Sequence, residues 1–284
     1  MSNTSNNKNI IPVHIGLRKS GSTFLQWCIF PALFPHLMAD GKKNLRATRE
    51  DTERFFSYKW QPGTLMSLED LSSSGSIVSG SMYKNFVRFV DVARLYKSLR
   101  ILFVVREHQS WLASEYVDRL KKSKVVGDFA EFASSFSKDD LSWSKRIKML
   151  QELDCELLLM KDTELKNDPF GAAAKIVSFY GLVHINKKSI ERRVKSFLTR
   201  KNRSPKTMLG IKAVRFVRSY SLLLEKELGI KYDRQVEDIV ANVINRFNIG
   251  RKIIFGHLDR SLKIRLESDW QNTMRLYKLM RATQ

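Results

Sequence analysis

Five consecutive residues, Lys19 to Thr23 (KSGST), carry groups suited to holding an anion. Lys19 brings a full positive charge, and Ser20, Ser22 and Thr23 bring hydroxyl donors. Gly21 lets the backbone come close to a ligand. An apolar run ending at Gly16 (IIPVHI, Ile10 to Ile15) precedes them and reads as a buried strand. After them Phe24, Trp27, Cys28 and Phe30 recur at helical spacing, until Pro31 and Pro35 are expected to bend or end the helix. Strand, tight loop, helix is how a chain aims backbone N–H groups and a helix dipole at phosphate. A simple helix cap would use only one of the three hydroxyls. The order also departs from the Walker A loop, in which lysine follows the last glycine. Here Lys19 precedes Gly21.

A second candidate lies about ninety residues further on. The run ILFVV (Ile101 to Val105) is continuous and β-rich, as a strand buried on both faces should be. It ends in Arg106, and Ser114 follows eight positions later on an expected helix. A nucleotide kinase needs a metal-binding aspartate at a strand end of this kind. Arginine there suits forked contacts with phosphate oxygens instead and disfavours Mg²⁺.

Together, HIGLRKSGSTFLQ (His14 to Gln26) and ILFVVREHQSWLASEY (Ile101 to Tyr116) resemble the two nucleotide-binding elements of PAPS-dependent sulfotransferases, where PAPS is 3′-phosphoadenosine 5′-phosphosulfate. KDTELKNDPFGAAAKIVSFYGL (Lys161 to Leu182) is similar to the strand, loop and helix that end that family's core. The resemblance covers residues 10 to 182 and is loose beyond them. It implies that Ser20, Gly21, Ser22 and Thr23 hold the 5′-phosphate, that Lys19 contacts the oxygen bridging phosphate and sulfate, and that Arg106 and Ser114 hold the 3′-phosphate. Arg18 stands where many members have proline; it adds charge beside the loop and could make it less rigid. In the stretch MSLEDLSSSG, expected to be a loop before a strand at Ser76–Ser79, Glu69 is the first choice for the general base. Asp70 is its neighbour, and a helix cap or solvated carboxylate is the other reading of Glu69. His14, on the strand leading into the loop, reads as a buried structural residue, and His108 as a neighbour of the nucleotide. Lys201, Asn202 and Arg203 are similar to a basic loop that closes over the nucleotide; a solvated basic patch is the alternative. Trp60, Trp111, Phe132, Phe136 and Trp143 could line an acceptor cleft, although core packing is the plainer reading.

The elements that must position these groups alternate between strand and helix. That order predicts an α/β fold with a parallel sheet flanked by helices and a P-loop-like phosphosulfate-binding loop. A helix is expected over Phe86 to Leu99, a strand over Glu156 to Met160 and a helix over Asn167 to Tyr180. The domain reading is one unit: a nucleotide-binding core over 8–182 and a mainly helical, basic region over 183–284. An apolar stripe from Val236 to Phe247 belongs to that region. Lys and Arg number 50 against 29 Asp and Glu, for a net charge of +21. Between His184 and Arg215 there are eleven Lys or Arg and one Glu, a local +10. Such a field favours anionic partners without choosing among them. The acceptor implied is a hydroxyl or amine of a glycan, polysaccharide or glycolipid. A small alcohol or phenol is the alternative substrate. Outside catalysis, the alternative is a basic protein that binds nucleic acid or another polyanion, but no recognition helix, zinc spacing or RNP-type motif supports nucleic acid. No metal-ligand spacing is present. Cys28 and Cys155 are expected to be reduced core residues. The polar first residues and the lack of a long apolar run predict a cytoplasmic chain without a spanning helix, for which peripheral membrane contact stays open.

Overall fold

The structure is a computed structural model that describes residues 10–16, 19–34, 36–38, 64–68, 87, 90–91, 98–121, 128–137, 139–153, 155–182, 186–199, 216–217 and 258–282. Its centre is a five-stranded sheet. The strands are β1 (Ile10–Gly16), β2 (His36–Met38), β3 (Thr64–Leu68), β4 (Ser98–Val105) and β5 (Glu156–Lys161), in the order β2-β3-β1-β4-β5. All four pairings are parallel. In β1 and β4 every apolar residue but Ile10 is buried, because helices cover both faces of a parallel sheet. The register places Gly16 beside Val104 and Ile15 beside both Phe103 and Leu68.

The helical run over 22–33 follows β1. It begins as α1 (Ser22–Phe24), widens into a π turn (Leu25–Ile29) and continues as α2 (Phe30–Leu33). Pro31 therefore does not end the helix. It has no N–H to offer the Trp27 carbonyl four residues back, and Arg193 Nη1 reaches that carbonyl instead at 3.4 Å. Phe24, Leu25, Cys28, Ile29 and Phe30 turn inward onto Leu65, Leu102, Val104, Leu158 and Met160 of the sheet.

Helix α3 (His108–Lys121) follows β4, then α4 (Phe129–Ser134) and α5 (Trp143–Gln151). After β5 come α6 (Asp162–Asn167) and α7 (Pro169–Tyr180), the latter capped by Asp168 and closed by Gly181 at φ 65°. Beyond them lie α8 (Lys187–Thr199) and α9 (Arg260–Ala282). Ile190 of α8 enters the core beside α7, with Val194 and Phe197 packed against it. In α9, Leu262, Leu266, Thr273 and Tyr277 are buried, one stripe of a long amphipathic helix. Both cysteines are free. Cys28 lies in the core, where burial pushes its thiol up to about 11; Cys155 is half-buried.

Two boundaries differ from expectation. The helix expected up to Leu99 stops short, because β4 already starts at Ser98 to pair with Ile10. Met66 to Leu68, expected in a loop, form part of β3, because their backbone pairs with β1. The stretches 76–79 and 236–247 lie outside the described residues.

The chain divides into two compact units, one of residues 1–111, 136–197 and 263–284 and the other of 112–135 and 198–262. The first contains the whole sheet. Within the second, Tyr116 packs its ring on Phe129 and Phe132, and Arg119 pairs with the buried Glu115 at 2.9 Å. A capping box between Asp128 and Glu131 starts α4 there.

Candidate functional site

The chain leaves β1 toward β3 and β2, whereas β4 and β5 lie on the other side of β1. The carboxyl ends of β1 and β4 are therefore the switch point of the sheet, where open α/β folds leave a crevice for ligands. Lys19 to Thr23 stand at the end of β1, and Arg106 follows the last residue of β4.

Lys19 adopts a left-handed backbone, φ 65°, and so does Gly21 at φ 102°. Such residues alternating with an ordinary one make the concave backbone of an anion nest. For a lysine this conformation costs about 1–2 kcal/mol. Gly21 has a second constraint. A Cβ there would lie 3.1 Å from Leu165 Cδ1, so α6 packs close under the loop. Ser20 and Ser22 are buried and Thr23 is exposed.

Arg106 reaches across to the same loop. Its Nη1 donates to the Lys19 carbonyl at 2.7 Å, while Nε and Nη2 both donate to Ser110 Oγ at 2.9 and 2.7 Å. Asp162, at the start of α6, lies 3.6 Å from Nε. Burial pulls the Arg106 guanidinium down from its ordinary pKa, and the carboxylates of Asp162 and Glu107 oppose that pull. The guanidinium stays charged. Glu107 caps α3 through the N–H groups of Gln109 and Ser110. Ser114 lies one helical turn beyond Ser110, half-buried. Sequence reasoning missed Ser110. Its signal was the four-residue spacing from Arg106 across a helix start.

Beneath the loop lies a buried polar group. Ser67 Oγ of β3 is 2.7 Å from His14 Nδ1 and accepts from Gln26 Nε2 at 2.9 Å. His14 is fully buried, and burial holds its imidazole down to about 3. Its Nε2 and the Ser22 hydroxyl are both buried without a hydrogen-bond partner among the described residues. They meet at Gly16, where a Cβ would lie 2.1 Å from Ser22 Oγ and 3.1 Å from His14 Nε2. Gly16 thus keeps open the space between them.

Asp269 of α9 was also not foreseen. Its Oδ2 accepts from His108 Nε2 at 3.0 Å and from the Trp143 N–H at 2.7 Å; its Oδ1 accepts from the hydroxyls of Ser142 and Ser144. Burial pushes this carboxyl up, but the hydrogen bonds from His108, Ser144 and Ser142 outweigh it and hold the pKa below the usual value. His108 also reaches the Leu141 carbonyl at 2.9 Å and stacks on Trp143, 4.6 Å between ring centres. Trp143 Nε1 in turn donates to the Arg106 carbonyl at 2.7 Å. The C-terminal helix is thereby tied to the corner that carries Arg106, and His108 is part of that tie. A lone aspartate in a helical stripe gives no such signal in sequence.

Trp111, Phe132 and Trp143 are buried core aromatics, with Trp111 edge-on to both Trp143 and Phe136. Arg18, Trp60, Glu69, Asp70, Lys201, Asn202 and Arg203 lie outside the described residues. Leu68, next to Glu69 in sequence, is in register with Ile15. A cleft of about 340 Å³ opens elsewhere, lined by Lys161, Glu164, Asn167, Lys175, Tyr277 and Arg281. Its charges are already engaged: Lys175 and the Tyr277 hydroxyl both donate to Glu164 at 2.6 Å, and Arg281 donates to Tyr277. Among the described residues no cluster of His, Cys, Asp or Glu could hold a metal ion, and no helix is long and apolar enough to cross a membrane.

No family model and no curated protein matches the sequence. Solved structures do match the fold. A mouse sulfotransferase, SULT7A1 complexed with PAP (3′-phosphoadenosine 5′-phosphate), superposes with a TM-score of 0.52 at 15% identity, over 99% of this chain and 90% of that one. Retinol dehydratase in complex with retinol and PAP gives 0.41 at 13% identity, over 69% and 66%. A sulfotransferase from Alicyclobacillus acidocaldarius gives 0.40 at 13% identity, over 67% and 91%. The first of these likenesses defines the class of fold: the chain is built as an α/β sulfotransferase fold.

Proposed function

We propose that this chain is a PAPS-dependent sulfotransferase, transferring a sulfuryl group to a hydroxyl or amine. The observation that carries the reading is the bond from Arg106 to the Lys19 carbonyl, which joins the two anion-binding elements at the switch point of the sheet. A nucleotide with phosphates at both its 3′ and 5′ positions has the charges to engage both. The residues present fit such a group. The left-handed loop, the unpaired Ser22 hydroxyl and the preset Arg106 fork supply donors and positive charge.

Bound PAPS would supply an activated sulfuryl group on its 5′-phosphate. Ser20, Gly21, Ser22 and Thr23, with Arg18 beside them, would hold that phosphate, and Arg106 with Ser114 the 3′-phosphate. The Lys19 ammonium would stabilise the negative charge that grows on the leaving oxygen, the kind of interaction that favours a transition state over the ground state. Glu69 is the base assigned to remove the acceptor proton. Lys201, Asn202 and Arg203 are assigned to cover the nucleotide. No metal ligand enters this scheme. That residues 1–284 serve as one sulfotransferase domain, with the nucleotide-binding core over 8–182, and a cytoplasmic location belong to the same proposal.

For the acceptor, the net charge of +21, almost half of it between His184 and Arg215, supports an anionic glycan, polysaccharide or glycolipid. Apparent affinity for such an acceptor should fall steeply with added salt; a flat response would point to a small alcohol or phenol. The test of the reading itself is titration with PAP beside ATP–Mg²⁺, followed by assay of Lys19→Ala. Tight PAP binding and a loss of turnover of about a hundredfold or more in the variant are expected. Absence of PAP binding refutes the reading.

A further inference from the structure

The group formed by Gln26, Ser67, His14 and Ser22 has a direction. A serine hydroxyl offers one hydrogen and two lone pairs. Ser67 Oγ accepts from the Gln26 amide, and we assign its own hydrogen to His14 Nδ1, 2.7 Å away, the tautomer that leaves a donor at the otherwise unpartnered Nε2. A neutral imidazole that accepts at Nδ1 carries its hydrogen on Nε2. Full burial keeps His14 neutral. The Nε2–H then points into the gap at Gly16, on whose other side sits the buried Ser22 hydroxyl. A buried donor and a buried hydroxyl left without partners are costly unless a further event pairs them.

We propose that His14 is a positioning residue of the phosphate loop: its Nε2–H occupies the lone pairs of Ser22, so that the Ser22 hydroxyl donates its hydrogen to the 5′-phosphate of a bound nucleotide. The inference rests on the PAP-binding reading above and deepens it. An anion in the loop recruits the Ser22 O–H as a donor, which turns the serine lone pairs toward His14. The chain Gln26 to Ser67 to His14 to Ser22 to phosphate then runs with every donor facing an acceptor, and bonds in such a series reinforce one another. Gly16 is required because a methyl group would fill the gap. Ser67 lies two residues before Glu69, so the same series ties the phosphate loop to the strand that precedes the assigned base.

The test is calorimetric titration with PAP and with adenosine 3′-monophosphate, which lacks the 5′-phosphate. In His14→Leu, PAP should bind about tenfold more weakly, the scale of one lost hydrogen bond to a charged group. Adenosine 3′-monophosphate should bind as it does to the wild type. His14→Gln, which restores a donor at the end of the side chain, should recover most of the PAP affinity. In a Ser22→Ala background the His14 substitution should have no further effect. Ser67→Ala, which leaves the imidazole in place, should show a smaller loss with the same selectivity, and it serves if His14→Leu does not fold. Equal weakening of both ligands, or no weakening of PAP, overturns the proposal. If the wild type binds PAP and the variants behave in either of these ways, only this inference falls. If the wild type fails to bind PAP, the parent reading falls and this one with it.

Discussion

Acidification should destabilise the protein through His14 by an amount that can be worked out. The perturbation is a change from about pH 7.5 to about pH 5. In the unfolded chain the imidazole has an ordinary pKa of about 6.5 and takes up nearly a whole proton over that interval. In the folded chain burial holds its pKa down to about 3, so it takes up almost none. The folded pKa is depressed, and the unfolded state binds the extra proton. The stability contributed by neutral His14 is therefore present above about pH 6.5 and is lost as pH falls from there toward about 3. Integrating the difference down to about pH 5 gives a loss of about 2 kcal/mol. The result is insensitive to the folded value, because at about pH 5 a group with pKa 3 or one unit higher is still mostly neutral. The assay is urea unfolding at the two pH values for the wild type and for His14→Gln, which cannot titrate. Other groups contribute to both proteins and cancel in the comparison. The wild type should lose about 2 kcal/mol more than the variant. Equal losses would mean that His14 is already protonated, or reaches water, in the folded state, and would refute the buried neutral imidazole on which the hydrogen-bond series depends.

Three further perturbations test the site. Gly21→Ala places a Cβ 3.1 Å from Leu165 Cδ1 at a φ of 102°; urea unfolding should show a loss of about 1–3 kcal/mol, and calorimetry should show weaker PAP binding. Arg106→Lys keeps the charge but not the fork that spans Lys19 and Ser110; PAP affinity should fall about tenfold or more by calorimetry, and retention of wild-type affinity would show that charge alone suffices. Asp269→Ala leaves the Trp143 N–H, His108 and two serine hydroxyls without their shared acceptor; denaturant unfolding should show a loss of about 3 kcal/mol or more. That contribution is present above the ordinary aspartate pKa and should disappear as pH falls through the depressed folded value.

Much of the fold was legible because its signals are local. The runs at 10–15, 101–105 and 156–160 are mostly apolar over a strand's length, as buried parallel strands should be, and all three are strands here. The helix expected up to Tyr180 ends there, closed by Gly181. The strand at Thr64–Leu68 was not legible. TLMSL is short, and its pairing with β1 on one side and β2 on the other distinguishes it from a loop. The helix ends at Leu33, two residues before Pro35, as expected of one of the two prolines, but sequence alone did not say that it would run through Pro31. A helix can pass a proline if the carbonyl four residues back finds another donor, and Arg193 supplies it from 166 positions further along the chain.

The sequence by itself determined which residues can face an anion. Charge, hydroxyl count and glycine position at Lys19 to Thr23, and an arginine at a strand end, are properties of residue type and short spacing. Tertiary structure alone decided how they are joined. Arg106 meets the Lys19 carbonyl because β1 and β4 are neighbours in a parallel sheet. Asp269 meets His108 because α9 folds back across 161 residues. His14 acquires its low pKa only when the sheet and α2 close over it. Contacts between residues far apart in sequence leave no periodicity to read, since their partners are chosen by packing and by the need to satisfy buried polar groups.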